Sequence, residues 1–191
     1  MKHFRQSLLA AVAAVGFAAS ASAQAKALEV GAVAPDFTLV SATKGGVQKA
    51  VKLSDLKGQI VVLAFFPKAR TSGCTVQNDA YRDKYKELFL GGKVNLFSIS
   101  VDTPEELAAW AKDRNYPHTF LSDKGGAVGT LYGAYNDSYK LDMRLLYVVG
   151  ADGKISYVAN PFREVDPTAY TDLGAALMKA GHAGMGMTKG E

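Results

Sequence analysis

Residues 59–75 read QIVVLAFFPKARTSGCT and contain the transition that decides the fold. Residues 59–66 form a continuous apolar run bounded by Gly58 and Pro67, which is typical of a strand buried on both faces of a sheet. From residue 74 to about residue 90, apolar and polar residues mix at helical spacing. The stretch therefore predicts a buried strand, a short loop and then a helix that opens near Cys74, the only cysteine of the chain.

The rest of the chain continues this alternation of strands and helices. Residues 94–101 form a second buried strand, and Pro104, followed by two acidic residues, marks the start of a helix that runs to about residue 114. Asp152-Gly153 lies between two strand patterns and is the best hairpin signal in the sequence. The other expected elements are strands at 36–40, 51–53, 118–121, 145–150 and 154–158 and helices at 127–132 and from Pro167 to about 180. The order predicts an α/β fold with three layers and a central mixed sheet.

The first 23 residues are typical of a secretory signal peptide. Lys2 and Arg5 precede an apolar segment at 8–19, and Ala21-Ser22-Ala23 supplies a small-x-small cleavage site. The apolar segment is too short to span a membrane. We expect cleavage after Ala23 and a periplasmic or secreted protein; an uncleaved N-terminal anchor is the alternative.

The remaining chain is expected to form one domain at 24–180, followed by a flexible tail at 181–191. Lys2 and Arg5 are lost with the leader, so 20 basic residues remain against 18 acidic ones. This excess of positive charge is too small to indicate nucleic acid or membrane binding by the mature domain. A single cysteine outside the cytoplasm either pairs with another chain, reacts, or stays buried as an inert thiol.

A reactive cysteine needs its thiolate form. An unperturbed thiol, with a pKa near 8.5, is only about 3% ionised at pH 7. The first turn of a helix contributes about 0.3–1 kcal/mol toward an anion, which is less than the roughly 3.4 kcal/mol needed to ionise most of it. A reactive Cys74 therefore also requires a nearby cation. The spacing does not choose among the candidate arginines, which are Arg70, Arg82, Arg114, Arg144 and Arg163.

The loop also carries a family resemblance. The pattern Pro67-x-x-x-Thr71-x-x-Cys74 resembles the active-site signature of the peroxiredoxins, which are thiol-dependent peroxidases on a thioredoxin-like fold. The surroundings are similar to the bacterioferritin-comigratory-protein branch of that family over nearly the whole predicted domain. The stretches that carry this similarity are 31–39 (GAVAPDFTL), 53–58 (LSDLKG), 66–68 (FPK), 73–75 (GCT), 121–123 (LSD) and 132–133 (YG).

The resemblance implies a role for each matching residue. Cys74 is expected to be the peroxidatic nucleophile, which attacks a peroxide and becomes a sulfenic acid. Thr71 would offer its hydroxyl to the thiolate and the peroxide, Pro67 would shield the sulfur from water, and Arg144 would orient the peroxide and favour the thiolate. Each residue also has a purely structural alternative: Thr71 as the cap of the helix, Pro67 as the end of the strand and Arg144 as a member of a surface ion pair. The family also implies a thioredoxin-like α/β/α domain with an N-terminal extension, no cofactor, no metal, and a monomer or homodimer.

Two positions depart from the pattern of this branch. Asp79 stands where many relatives have a resolving cysteine, and Gln77 stands where the family usually has Glu. Without a second cysteine the sulfenic acid cannot close an internal disulfide. The resemblance implies hydrogen peroxide or small organic hydroperoxides as substrates, and the missing second cysteine implies that an external thiol or thioredoxin-like protein is the reductant.

Two other functions share this fold. A thiol–disulfide oxidoreductase normally has Cys-x-x-Cys, whereas here Gln77 follows Cys74 at that spacing. A metal-carrying protein would need further soft ligands, and the tail offers only His182, Met185 and Met187. We expect this tail to be a solvated segment rather than a metal site.

Overall fold

The computed structural model describes residues 26–186. The predicted signal peptide and its cleavage site lie outside the described residues. Within the described range the chain forms five helices: α1 (Ser72–Asp83), α2 (Tyr85–Leu88), α3 (Pro104–Arg114), α4 (Ala127–Leu131) and α5 (Pro167–Gly186). The nine strands of the same range are β1 (Thr38–Thr43), β2 (Gly46–Lys52), β3 (Val61–Phe65), β4 (Asn95–Ser100), β5 (Thr119–Ser122), β6 (Tyr135–Asn136), β7 (Leu141–Asp142), β8 (Leu145–Val149) and β9 (Ile155–Ala159).

Seven of these strands form one mixed sheet, in the order β2-β1-β5-β4-β3-β8-β9. The central strands β3, β4 and β5 are parallel to one another, while β1, β2, β8 and β9 pair antiparallel with their neighbours. β6 and β7 form a separate two-stranded ribbon. The hairpin predicted around Asp152-Gly153 is present as β8 and β9.

The apolar run that predicted the central strand is buried on both faces. All five residues of β3 are buried, and they alternate between two clusters. Val61, Leu63 and Phe65 face one cluster, and Val62 and Ala64 face the other. Since successive side chains of a strand point to opposite faces, the sheet has an apolar layer on each side.

Helices cover both faces of the sheet. On the Leu63 side lie α4, a 3-10 helix at Leu53–Leu56 and the segment that precedes β1. On the Val62 side lie α1 and α5, and α3 packs further along the same face around Phe66 and Phe120. The three-layer α/β/α architecture with a mixed sheet is therefore as predicted.

The start of α3 is also as predicted. Thr103 caps the helix: its hydroxyl accepts a hydrogen bond from the Glu106 N–H at 3.3 Å, and the Glu106 carboxylate returns to the Thr103 N–H at 3.3 Å. Pro104 occupies the first turn. This capping box gives hydrogen-bond acceptors to the Thr103 and Glu106 N–H groups, which the helix itself leaves unpaired.

The helix predicted from residue 74 to about 90 is wrong in its extent. α1 begins earlier, at Ser72, and ends at Asp83; Lys84 interrupts it before the single turn of α2. The Phe89 ring nevertheless packs against both Tyr81 and Tyr85, with ring centroids 5.6 and 5.8 Å away. The apolar spacing continues across the break, which is why the pattern does not reveal it.

The last helix is longer than predicted. α5 continues beyond Ala180 to Gly186, so the first six residues of the predicted tail are helical. Residues 187–191 lie outside the described range. No helix in that range is both long and apolar enough to cross a membrane.

Candidate active site

Cys74 lies where the central strand gives way to a helix. After β3, the Phe66 N–H extends the sheet by donating to the Ile99 carbonyl at 2.9 Å. The chain then turns, and α1 begins with Cys74 as its third residue. The Cys74 side chain has no exposed surface. A sulfur in the first turn of a helix lies close to unpaired backbone N–H groups, which favours a negative charge there.

The loop before α1 is held by polar contacts from neighbouring elements. The buried Asp102 carboxylate accepts hydrogen bonds from the Ala69 N–H at 2.7 Å and from the Ser100 hydroxyl at 2.9 Å. Arg70 has a φ of 65° and pairs with Asp113 at 2.6 Å. These contacts fix the conformation of the loop and therefore the position of Cys74.

Pro67 and Thr71 both lie in the loop that precedes Cys74. Pro67 is half-buried and lines the same groove as Arg144. Thr71 is the N-cap residue of α1, but its side chain accepts no capping hydrogen bond; the hydroxyl donates to the Lys68 carbonyl at 2.9 Å. Its predicted contact with a thiolate and a peroxide stays a prediction.

Arg144 is the arginine that reaches the sulfur. It lies between β7 and β8, and its Nη1 donates to Cys74 Sγ at 3.2 Å and to Gln77 Oε1 at 3.4 Å. Its Nε forms an ion pair with Glu164 Oε1 at 2.9 Å, in which each side chain is 18% exposed. The other arginines in the two helices around the loop point to other carboxylates, Arg82 to Asp79 and Asp83, and Arg114 to Asp79.

Glu164 is a site residue that the sequence did not suggest. It lies in the segment between β9 and α5, about 90 positions after the cysteine, so neither spacing nor periodicity relates the two. Glu164 lies directly against Gly73 in the first turn of α1. A Cβ at this glycine would lie 2.7 Å from Glu164 Oε1 and 2.3 Å from Arg144 Nη2, so the pair rests directly on the first turn of α1.

A buried polar network lies behind the cysteine and was also missed. Asn78 Nδ2 donates to the Cys74 carbonyl at 2.9 Å, and Asn78 Oδ1 accepts from the Ser98 hydroxyl at 2.8 Å. His118 Nε2 lies 3.0 Å from the same oxygen, and it must donate because an amide oxygen only accepts. Burial lowers the pKa of His118 to about 3, so the ring is neutral at pH 7.

Asp79, at the position of the resolving cysteine in many relatives, has a structural environment here. Its carboxylate accepts hydrogen bonds from Arg82 Nη1 at 3.1 Å and from the Tyr116 hydroxyl at 3.0 Å, and it forms a close ion pair with Arg114. Since Arg114 belongs to α3, Asp79 joins α1 to the neighbouring helix. These polar contacts give Asp79 a structural role between the two helices.

A groove beside the site completes its surroundings. A groove of about 930 Å³ opens at Pro67 and Arg144, and Met143 and Val165 form part of its wall with 41% and 75% of their surfaces exposed. The groove reaches the Arg144 guanidinium, and Nη1 of that guanidinium contacts the buried Cys74 sulfur behind it. Among residues 26–186, no group of three or more His, Cys, Asp or Glu side chains is placed to hold a metal ion.

Asp142 is a buried carboxyl two residues before Arg144. It is 0% exposed, and neither of its oxygens has a hydrogen-bond partner. Burial, with the charges of Asp123 and Asp102 as smaller causes, raises the pKa of Asp142 to about 8. The group is therefore mostly protonated and neutral at pH 7.

Comparison with known proteins agrees with this geometry. Residues 30–158 match the AhpC/TSA family. The chain is 37% identical to the peroxiredoxin Bcp of Escherichia coli (strain K12) over 142 residues, which are 71% of this chain and 88% of that protein. A putative peroxiredoxin bcp from Haemophilus influenzae is 34% identical over 145 residues, or 73% of this chain and 90% of that protein.

The solved structures give the same answer for the fold. The peroxidoxin BcpB of Mycobacterium tuberculosis superposes with a TM-score of 0.67 at 30% identity, covering 80% of this chain and 97% of that one. A Plasmodium vivax 2-Cys peroxiredoxin superposes with a TM-score of 0.69 at 23% identity, covering 81% of this chain and 98% of that one. The predicted thioredoxin-like fold is thus confirmed. The chain belongs to the AhpC/TSA family and is a peroxiredoxin of the Bcp kind.

Proposed function

We propose that the peroxidase reaction of this protein takes place at Cys74, assisted by Arg144, Thr71 and Pro67, in a cycle that uses one cysteine. As a peroxiredoxin, the protein is an oxidoreductase that reduces a peroxide at the expense of thiols. The contact of 3.2 Å between Arg144 Nη1 and Cys74 Sγ, at the first turn of α1, is the observation that carries the residue assignment.

The first step is a displacement at oxygen. The Cys74 thiolate attacks one peroxide oxygen, an S–O bond forms as the O–O bond breaks, and the departing hydroxide or alkoxide takes up a proton. Sulfur loses two electrons and the peroxide gains them. In this proposal the Arg144 guanidinium holds the peroxide in line with the sulfur and stabilises the charge on the departing oxygen.

The second step requires thiols from outside the chain, because Cys74 is the only cysteine in the sequence. One external thiol condenses with the sulfenic acid, releasing water and forming a mixed disulfide. A second thiol releases Cys74 and leaves as the oxidised partner. A small thiol or a thioredoxin-like protein supplies this reductant, and neither other function of the fold considered above gains support from the site.

The reaction is tested directly by stopped-flow mixing of the reduced protein with hydrogen peroxide or a small organic hydroperoxide. We expect a rate far above that of free cysteine, loss of that rate in Cys74→Ser, and a gain of one oxygen in the intact mass after one equivalent of peroxide. A rate equal to that of free cysteine, or an oxygen gained elsewhere, would refute the assignment.

The location and assembly are also proposals. The positive start, apolar segment and cleavage site of residues 1–23 support export to the periplasm or secretion, with a mature chain that starts at Gln24. Cell fractionation with N-terminal mass spectrometry tests this, and a cytoplasmic chain that retains its first residues would contradict it. We propose a monomer or a homodimer, which light scattering of the purified protein distinguishes from larger assemblies.

A further inference from the structure

We propose that Glu164 is a positioning residue for the reaction: its carboxylate holds the Arg144 guanidinium so that Nη1 faces the Cys74 sulfur. The inference rests on the proposed role of Cys74 and adds to it the element that sets the geometry of the arginine. Three observations support it, and each concerns a different part of the contact.

The first observation is how the donors of the guanidinium are divided. Nε donates to Glu164 Oε1 at 2.9 Å, while Nη1 contacts Cys74 Sγ at 3.2 Å and Gln77 Oε1 at 3.4 Å. A guanidinium is planar and rigid, so fixing the direction of Nε also fixes the direction of Nη1. With both side chains 18% exposed, the ion pair is less screened by solvent than a surface pair.

The second observation is the space that Gly73 leaves open. A Cβ at this position would lie 2.3 Å from Arg144 Nη2 and 2.7 Å from Glu164 Oε1, which is closer than real contacts allow. Both members of the pair therefore occupy the volume that any other residue would fill. The pair is built against the helix turn that carries the sulfur.

The third observation is that the backbone of Glu164 is itself held. The Glu164 carbonyl accepts a hydrogen bond from the Tyr170 hydroxyl at 2.8 Å, which ties it to α5. The nearby Phe162 N–H donates to the Arg144 carbonyl at 3.0 Å, which ties the same segment to the strand that follows the arginine. A carboxylate on a fixed backbone orients its partner more closely than one on a free loop.

The Glu164 carboxylate combines a hydrogen-bond acceptor for Nε with a negative charge. The second acceptor of Arg144 is the uncharged amide of Gln77, so among the described residues Glu164 is the carboxylate paired with this arginine. Orientation and charge are separable by substitution. Glu164→Gln keeps an oxygen that accepts from Nε and removes the charge, whereas Glu164→Ala removes both.

The test compares two reactions of the same sulfur. The reaction with hydrogen peroxide requires the guanidinium in its oriented position. The rate of alkylation by uncharged iodoacetamide depends only on the fraction of Cys74 that is thiolate and on its accessibility. For Glu164→Ala we expect the peroxide rate to fall by about 10- to 100-fold. We expect the alkylation rate to stay within about threefold of the wild type, and Glu164→Gln to recover most of the peroxide rate. Asp137→Ala, which removes a surface ion pair with Lys140, is the matched control and should change neither rate.

The other outcomes overturn the proposal. A peroxide rate in Glu164→Ala within threefold of the wild type would show that the arginine needs no such support. A parallel fall of both rates would indicate a general structural role, and a Glu164→Gln variant as slow as Glu164→Ala would assign the effect to charge. Should Glu164→Ala fail to fold by circular dichroism, Glu164→Asp, whose carboxylate is one methylene short of Nε, serves in its place. Failure of the proposed function is distinguishable, because then the wild type itself would react no faster than free cysteine.

Discussion

Replacing Gly73 with alanine is expected to separate the activity of this protein from its stability. The added Cβ would lie 2.3 Å from Arg144 Nη2, and ordinary contacts begin at about 3.4 Å, so the guanidinium must withdraw by about 1 Å. The contact between Nη1 and Cys74 Sγ, now 3.2 Å, would lengthen beyond useful hydrogen-bond range. A displacement of this size at a reacting group lowers rates by about 100-fold, and we expect a loss of 10- to 100-fold in the peroxide reaction.

The same substitution is expected to leave the fold intact. The atoms that obstruct the new methyl group are the ends of two flexible side chains, which can move without disturbing the backbone. Gly73 lies within α1, where replacing glycine by alanine favours the helix by up to about 0.5–1 kcal/mol. The melting temperature should therefore stay the same or rise while the peroxide rate falls.

The assay is stopped-flow oxidation by hydrogen peroxide, with thermal unfolding followed by circular dichroism on the same samples. Gly181→Ala is the matched control, since a Cβ there meets only Ile60 Cδ1 at 3.8 Å, an ordinary contact in α5. It should gain helix stability without a change in rate. A Gly73→Ala variant that is folded and as fast as the wild type would refute the reasoning, because the position of the guanidinium would then not matter.

Three further predictions concern neighbouring groups. Arg144→Lys should lower the peroxide rate more than the iodoacetamide rate, because one ammonium cannot reproduce the fork that contacts the sulfur and its neighbours; equal losses in the two assays would contradict this. The pKa of Asp142 is about 8 in the fold against 3.8 ordinarily, so its contribution to stability is fully present below about pH 4 and is lost as the pH rises toward 8. In urea titrations, the free energy of unfolding of Asp142→Asn relative to that of the wild type should therefore rise by about 1 kcal/mol per pH unit between pH 5 and 7. A difference that does not vary with pH would disprove this. Asn78→Ala should destabilise the protein by about 1–3 kcal/mol in the same titrations, because Ser98 and His118 lose their shared buried acceptor, and an unchanged urea midpoint would exclude that role.

The fold was largely predictable because its strongest signals are local. The five buried residues of β3, the Asp152-Gly153 hairpin and the start of α3 each follow from a few adjacent residues. The break in the helix at Lys84 was not predictable, because Tyr81, Tyr85 and Phe89 keep a helical spacing of four residues across it. The predicted end of α5 is too early, because Gly181 is a typical helix stop in a sequence, whereas the helix continues through it to Gly186.

The site was predictable only in part, for the same reason. The positions of Pro67, Thr71 and Cys74 follow from one short signature, whereas the choice of Arg144 among five arginines came from the family resemblance and not from spacing. Its contact with Glu164 depends on the meeting of two segments that are distant in sequence. A pattern within one segment carries no information about such a meeting.

The ties around Asp79 bear on how this protein could acquire a different catalytic cycle. In an intact helix the rise of 1.5 Å per residue separates positions 74 and 79 by about 7.5 Å along the axis, which is longer than a disulfide spans. A cysteine introduced at position 79 would be useful only after α1 unwound. The same exchange would leave Arg114 of α3 without its carboxylate partner. An Asp79→Cys substitution alone would therefore add a second sulfur without a geometry for an internal disulfide, and it would also remove the ion pair that ties α1 to α3.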